Sequence, residues 1–171
     1  LKWATAGGGS LVLVGSDVLE STGTTLTVTF TAIPASEVAY LMGVFSMDVD
    51  ATAEGQPTKL TVNSLSTSTY DFDSLNIAGG SETISSNTGE SAFRVANDAN
   101  NGERYGIFYV SLNRVTDKIQ MISDSCGELG TQWQGGYNTT SSQDEYSEIE
   151  LSIGAGNFLA DSRLDVYRCN I

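Results

Sequence analysis

Thr24-Thr25-Leu26-Thr27-Val28-Thr29-Phe30-Thr31 alternates threonine with Leu26, Val28 and Phe30. An extended backbone turns successive side chains to opposite faces, so the three apolar residues share one face and the threonines the other. A helix through the same residues would scatter the apolar side chains around its circumference. Threonine is β-branched, which favours the extended backbone while its hydroxyl suits a solvated face. The stretch therefore predicts a half-buried strand.

The same signal recurs along the chain. Tyr40-Leu41-Met42-Gly43-Val44-Phe45 is a near-continuous apolar run, which suits a strand buried on both faces or the interior of a sandwich. From Tyr105 to Leu112 the residues Gly106, Phe108, Val110 and Leu112 share one face and Tyr105, Ile107 and Tyr109 the other. Lys59 to Asn63, Asp117 to Ile122, Glu148 to Ile153 and Arg163 to Tyr167 alternate in the same way. Between them lie clusters of Gly and Asn, among them Gly79-Gly80, Asn97 to Gly102 and Gly154 to Asn157. Tight turns need positive φ, and Asn101-Gly102 reads as a hairpin turn. No stretch shows a capped period of 3.6 residues. Many short strands separated by turns predict an all-β fold, a single antiparallel β-sandwich of jelly-roll type over residues 1–171.

Composition removes several functions. The chain has no histidine, which excludes Ser-His-Asp and Cys-His catalysis and His-ligated metals. A net charge of −13 repels phosphate backbones, so nucleic acid is not an expected partner. No apolar run approaches the roughly 20 residues of a spanning helix, so no membrane insertion is expected. Cys126 and Cys169 lie far apart with no CxxC, so two reduced thiols are the default reading, and a mutual disulfide stays open because spacing does not fix its geometry.

The C-terminal third carries a resemblance. Glu148-Ile149-Glu150-Leu151-Ser152-Ile153, then Gly156-Asn157-Phe158, then Asp161-Ser162-Arg163-Leu164-Asp165-Val166-Tyr167, resembles the ending of small β-sandwich virion proteins of tailed bacteriophages. Those end in an I-x-x-I-x-L strand, an N-F-x-x-G-S turn and an L-Y-G strand. Phe30-Thr31-Ala32-Ile33-Pro34, Leu60-Thr61-Val62-Asn63 and Gly106-Ile107-Phe108-Tyr109-Val110 fit the same order upstream. Two departures stand out: Asp161 replaces a glycine, and Arg168-Cys169 follows Tyr167 where the pattern has glycine. The resemblance implies a non-enzymatic structural protein on the particle surface, either a head-decoration protein or a tail-fibre or tail-tip module. It implies other virion proteins as partners, a host-surface glycan as a target for a tail part, and self-assembly into a homo-oligomer, a trimer above all. It supplies no catalytic residue and no cofactor.

Two kinds of site are worth testing apart from the resemblance. Asp48, Asp50 and Glu54 form a D-x-D-x-x-x-E string whose hard oxygens suit Ca²⁺. Asp71 and Asp73 flank Phe72, and Asn97, Asp98 and Glu103 surround a turn. None follows the twelve-residue EF-hand loop, and the competing reading is a solvated acidic surface. A glycosidase would need two carboxylates at a set separation, one with a raised pKa. Trp133 and Tyr137 stand in the glycine-rich segment from Gly130 to Asn138, either packed in the core or exposed as a platform for sugar rings. The platform reading makes the chain a carbohydrate-binding, lectin-like module, the alternative to a virion structural part. Asn138-Thr139-Thr140 fits a glycosylation sequon, which a threonine-rich chain matches by chance.

Overall fold

In the computed structural model the described residues are 11–50, 56–65, 69–96, 102–113, 118–127 and 130–170. They form twelve strands: β1 (Leu11–Val18), β2 (Thr25–Pro34), β3 (Val38–Val49), β4 (Thr58–Val62), β5 (Tyr70–Ala78), β6 (Ser81–Glu90), β7 (Phe93–Ala96), β8 (Gly102–Asn113), β9 (Lys118–Gly127), β10 (Gly130–Ser142), β11 (Glu145–Ile153) and β12 (Arg163–Asn170). A single helical turn, Ala35–Glu37, joins β2 to β3. No helix among the described residues is long and apolar enough to cross a membrane.

The threonine-rich stretch becomes β2, with Leu26 and Val28 buried and Thr25 and Thr29 exposed. Phe30 is only partly buried. A register shift against β11 between Tyr146 and Glu148 gives the next inward place to Ile33 instead.

All the pairings are antiparallel. Eight strands form one sheet in the order β1-β12-β3-β8-β9-β10-β5-β6, and four form a second, β2-β11-β4-β7. The chain wraps back on itself, β1 on β12, β2 on β11 and β5 on β10, as in a jelly roll. Leu41, Phe45, Phe108, Val110 and Leu164 of the larger sheet share one core with Leu26, Leu60, Phe93, Ile149 and Leu151 of the smaller. The all-β sandwich that the alternation predicts is what forms.

Two open alternatives are decided. The run from Tyr40 to Phe45 is a sandwich strand buried on one face only, not both: Leu41 and Phe45 are buried, Tyr40 and Met42 half-buried, and Val44 exposed. Its other face looks outward from a two-layer sandwich, where nothing among the described strands covers it. Cys126 and Cys169 are free thiols. They sit on β9 and β12 with β8 and β3 between, so three strand spacings, about 14 Å, separate their backbones. A disulfide spans less than about 7 Å between Cα atoms, so these two do not pair within the chain. The Asn101-Gly102 turn lies outside the described residues at Asn101.

The turn at Asp161, where the resemblance would place a glycine, adopts the backbone a glycine would. Asp161 has φ of 68°, and its N–H donates to the Leu19 carbonyl at 2.8 Å. Side chains other than glycine pay a steric penalty in this left-handed region, which aspartate tolerates better than most. Asp161→Gly is therefore expected to stabilise the protein by about 0.5–1 kcal/mol, the relieved strain exceeding the added freedom of the unfolded chain. Urea denaturation checks it: a midpoint that falls contradicts this account of the turn.

Candidate functional site

β10 inverts the usual arrangement of a half-buried strand. Its amides Gln132, Gln134 and Asn138 are buried, whereas Trp133 and Tyr137 are 41% and 45% exposed. Gln132 and Gln134 face inward opposite Ser125 and Ser123 of β9. Burying amides while exposing aromatic rings is costly on both counts, so burial does not explain why the rings point outward. Gly135, between them on the outward face, would place an added Cβ no closer than 3.9 Å to Met121 O, leaving bare backbone there. Gly136 points the other way, and its Cβ would lie 2.4 Å from Asp71 O.

That bare backbone helps line a groove of about 880 Å³ on the outward face of the larger sheet. Tyr40 of β3 and Tyr109 of β8 meet edge to face at one end, with ring centroids 5.4 Å apart and an interplanar angle of 78°. Ile122 of β9 stands in register between Tyr109 and Gly135 and is 65% exposed. Tyr137 stands in register between Gln120 of β9 and Asp71 of β5, and the Lys118 ammonium lies 5.9 Å from its ring centroid. Asp73 pairs with Gly135, and Asp71 accepts a hydrogen bond from the Gly89 N–H at 2.9 Å. Ser86, Asn87 and Thr88 of β6 line the far end. The Tyr40 phenol is raised above its ordinary value, first by its hydrogen bond with the Cys169 thiol and then by burial.

Aromatic faces, an exposed aliphatic side chain, carboxylates and carboxamides thus converge on one concave surface. Such a surface binds a ligand with both apolar C–H faces and hydroxyl groups. It contains one of the two aromatic residues singled out from the sequence. Trp133 lies four residues from Tyr137 along β10, about 13 Å away. There it is in register with Asp124 and Leu75, the latter paired with Ile84, in a separate apolar row. Asp71 and Asp73 join the groove. Tyr40, Tyr109 and Gln120 belong to it as well, and the sequence reading did not single them out as a site. The usable signal was Tyr109, an aromatic residue on the face opposite Phe108 and Val110.

Of the acidic string, only Asp48 and Asp50 are among the described residues. Asp48 lies opposite Glu103 across β3 and β8, Asp50 accepts from Asn157 Nδ2 at 2.8 Å, and Glu54 lies outside the described residues. Among the described residues no three metal-ligating side chains gather. Asn97 and Asp98 are also outside them, and Glu103 accepts from the Tyr105 hydroxyl. Glu150 has its carboxyl raised, first by burial and then by the Glu148 charge, but it sits on β11 of the smaller sheet. Asn138 is fully buried, which leaves no room for a glycan on the sequon.

No family model and no curated protein matches the sequence. Among solved structures the chain is similar to an engineered GH43 glycoside hydrolase with endo-xylanase and exo-arabinofuranosidase activity (TM-score 0.44, 10% identity, 99% of this chain and 42% of that one). It is also similar to the lectin UEA-II complexed with galactose (TM-score 0.35, 12% identity, 96% of this chain and 88% of that one). A third is lectin II from Ulex europaeus (TM-score 0.36, 12% identity, 94% of this chain and 92% of that one). The chain spans less than half the length of the hydrolase.

Proposed function

We propose that the chain is a non-enzymatic carbohydrate-binding β-sandwich whose ligand lies in the outward groove of the eight-stranded sheet. The observation that carries this reading is the inverted polarity of β10, which spends burial on Gln132 and Gln134 and turns Tyr137 to solvent beside Asp71 and Asp73. Tyrosine faces take the C–H surface of a sugar ring, while carboxylates and amides take its hydroxyls. A glycosidase needs a carboxyl with a raised pKa at the sugar, and Glu150, whose carboxyl is raised, stands on the other sheet, which favours binding over turnover.

A glycan array probed with the whole chain tests the reading, and an array silent throughout counts against it. Gly135→Phe supplies the sharper control. Its side chain would project into open space over the groove, so the fold is expected to keep its unfolding temperature while glycan binding falls at least tenfold. A variant that binds as tightly as the parent removes the groove from consideration.

A second reading concerns where the module works. The order of motifs from Ile149 to Tyr167 supports a place on the surface of a tailed-virus particle, as a tail part that meets a host glycan or as a head-decoration protein. Leu11, Val12 and Leu13 are exposed on the edge strand β1, which favours pairing with a further copy in a homo-oligomer, a trimer included. Copy number per particle tests it: a handful indicates a tail part, hundreds a decoration protein, and absence from purified virions overturns it.

A further inference from the structure

We infer that the groove takes an uncharged polysaccharide chain laid along its length, not a single terminal sugar. The inference rests on the carbohydrate reading above and concerns the shape and charge of the ligand. The lining residues come from β3, β8, β9, β10, β5 and β6, six strands adjacent in that order. Five strand spacings amount to about 24 Å, far longer than one sugar ring. β6 is the edge of the sheet, so the groove runs out at that end and a chain can continue past it. The stacking positions are spread in the same direction. Tyr109 on β8 and Tyr137 on β10 have β9 between them, about 10 Å of lateral separation, so one ring cannot stack on both. Two rings of one chain can.

The charges on the groove select against ionised sugars. Asp71 and Asp73 lie on one side of Tyr137, and the Lys118 ammonium stands over its ring. A uronate or sialylated chain would meet the two carboxylates within a protein of net charge −13. A chain of amino sugars would meet Lys118. Hydroxyl groups both donate to carboxylates and accept from an ammonium, so a neutral chain satisfies both signs.

Titration calorimetry of the whole chain with linear cello-, xylo- and manno-oligosaccharides of increasing length, and with oligogalacturonate, tests both halves. The expected result is no measurable monosaccharide binding, with affinity in at least one neutral series rising about 100-fold from disaccharide to the length that fills the groove. Tyr40→Ala, at the end of the groove, is expected to shorten the length at which that rise levels off. Oligogalacturonate is expected not to bind. A monosaccharide that binds as tightly as the longest oligomer overturns the chain inference while the carbohydrate reading stands. Oligogalacturonate binding as tightly as a neutral oligomer overturns the charge argument alone. Failure of every sugar, on the array as well as by calorimetry, removes the carbohydrate reading itself.

Discussion

Tyr137→Ala is expected to lower carbohydrate affinity roughly 30- to 150-fold with no change in unfolding temperature, while Trp133→Ala leaves affinity within about twofold. Both residues are aromatic, both are a little under half exposed, and both belong to the same glycine-rich strand. Only their neighbours across the ladder distinguish them. Tyr137 lies between Gln120 and Asp71 and lines the groove, whereas Trp133 lies between Asp124 and Leu75 and does not. Covering a tyrosine face with a sugar ring combines apolar burial with ring contact, about 2–3 kcal/mol in total, which sets the expected loss. Since Tyr137 stands outside the buried core cluster, its removal costs binding and leaves stability nearly unchanged. The reverse outcome, a silent Tyr137→Ala and an inactive Trp133→Ala, would move the site to the row formed by Trp133, Leu75 and Ile84.

How far the sequence reaches is clearest on β2, β8 and β10. On β2 and β8 the alternation picks out buried residues, Leu26 and Val28 on the first, with Phe30 only partly covered, and Phe108 and Val110 on the second. Period two is enough on β2, where one face is apolar and the other carries threonines. It misleads on β10, because the polar residues of that strand go inward and its aromatic ones outward. A reading by hydrophobicity puts Trp133 and Tyr137 in the core by default. It also leaves open whether both faces of Tyr40 to Phe45 are covered, since an apolar face turned to solvent has the same composition as one under a second sheet. Tyr40, Tyr109 and Tyr137 come from strands far apart in the chain, and only the sheet order β3-β8-β9-β10 brings them together. The fate of Cys126 and Cys169 is likewise a matter of strand order, with β8 and β3 between them.

Gly43→Ala is expected to destabilise the protein by about 3 kcal/mol, at the upper end of overpacking costs in a filled core. Gly43 and Phe108 face each other across β3 and β8, and one step along the ladder Phe45 faces Gly106, so the glycine and the ring exchange strands. The Phe108 ring lies over the glycine backbone, where an added Cβ would sit 2.0 Å from Cζ and 2.3 Å from Cε1. A surface ring would swing aside. This one is fully buried and stacks with Phe45 at a centroid separation of 6.4 Å, so displacing it disturbs the centre of the core. Gly106 is held more tightly still, since its Cβ would lie 2.4 Å from the Phe45 ring and 2.8 Å from Asp124 O. Chemical denaturation measures the loss, and a double-mutant cycle assigns it. Phe108→Leu removes the ring end that the new methyl strikes, so the double variant should be more stable than the sum of the two single losses by at least about 1 kcal/mol. Additive losses would mean that the alanine is accommodated by backbone movement, with the ring left in place. The outward face of those strands carries Met42, Val44 and Tyr109, so backbone movement there would also alter the groove and couple Gly43 to carbohydrate binding.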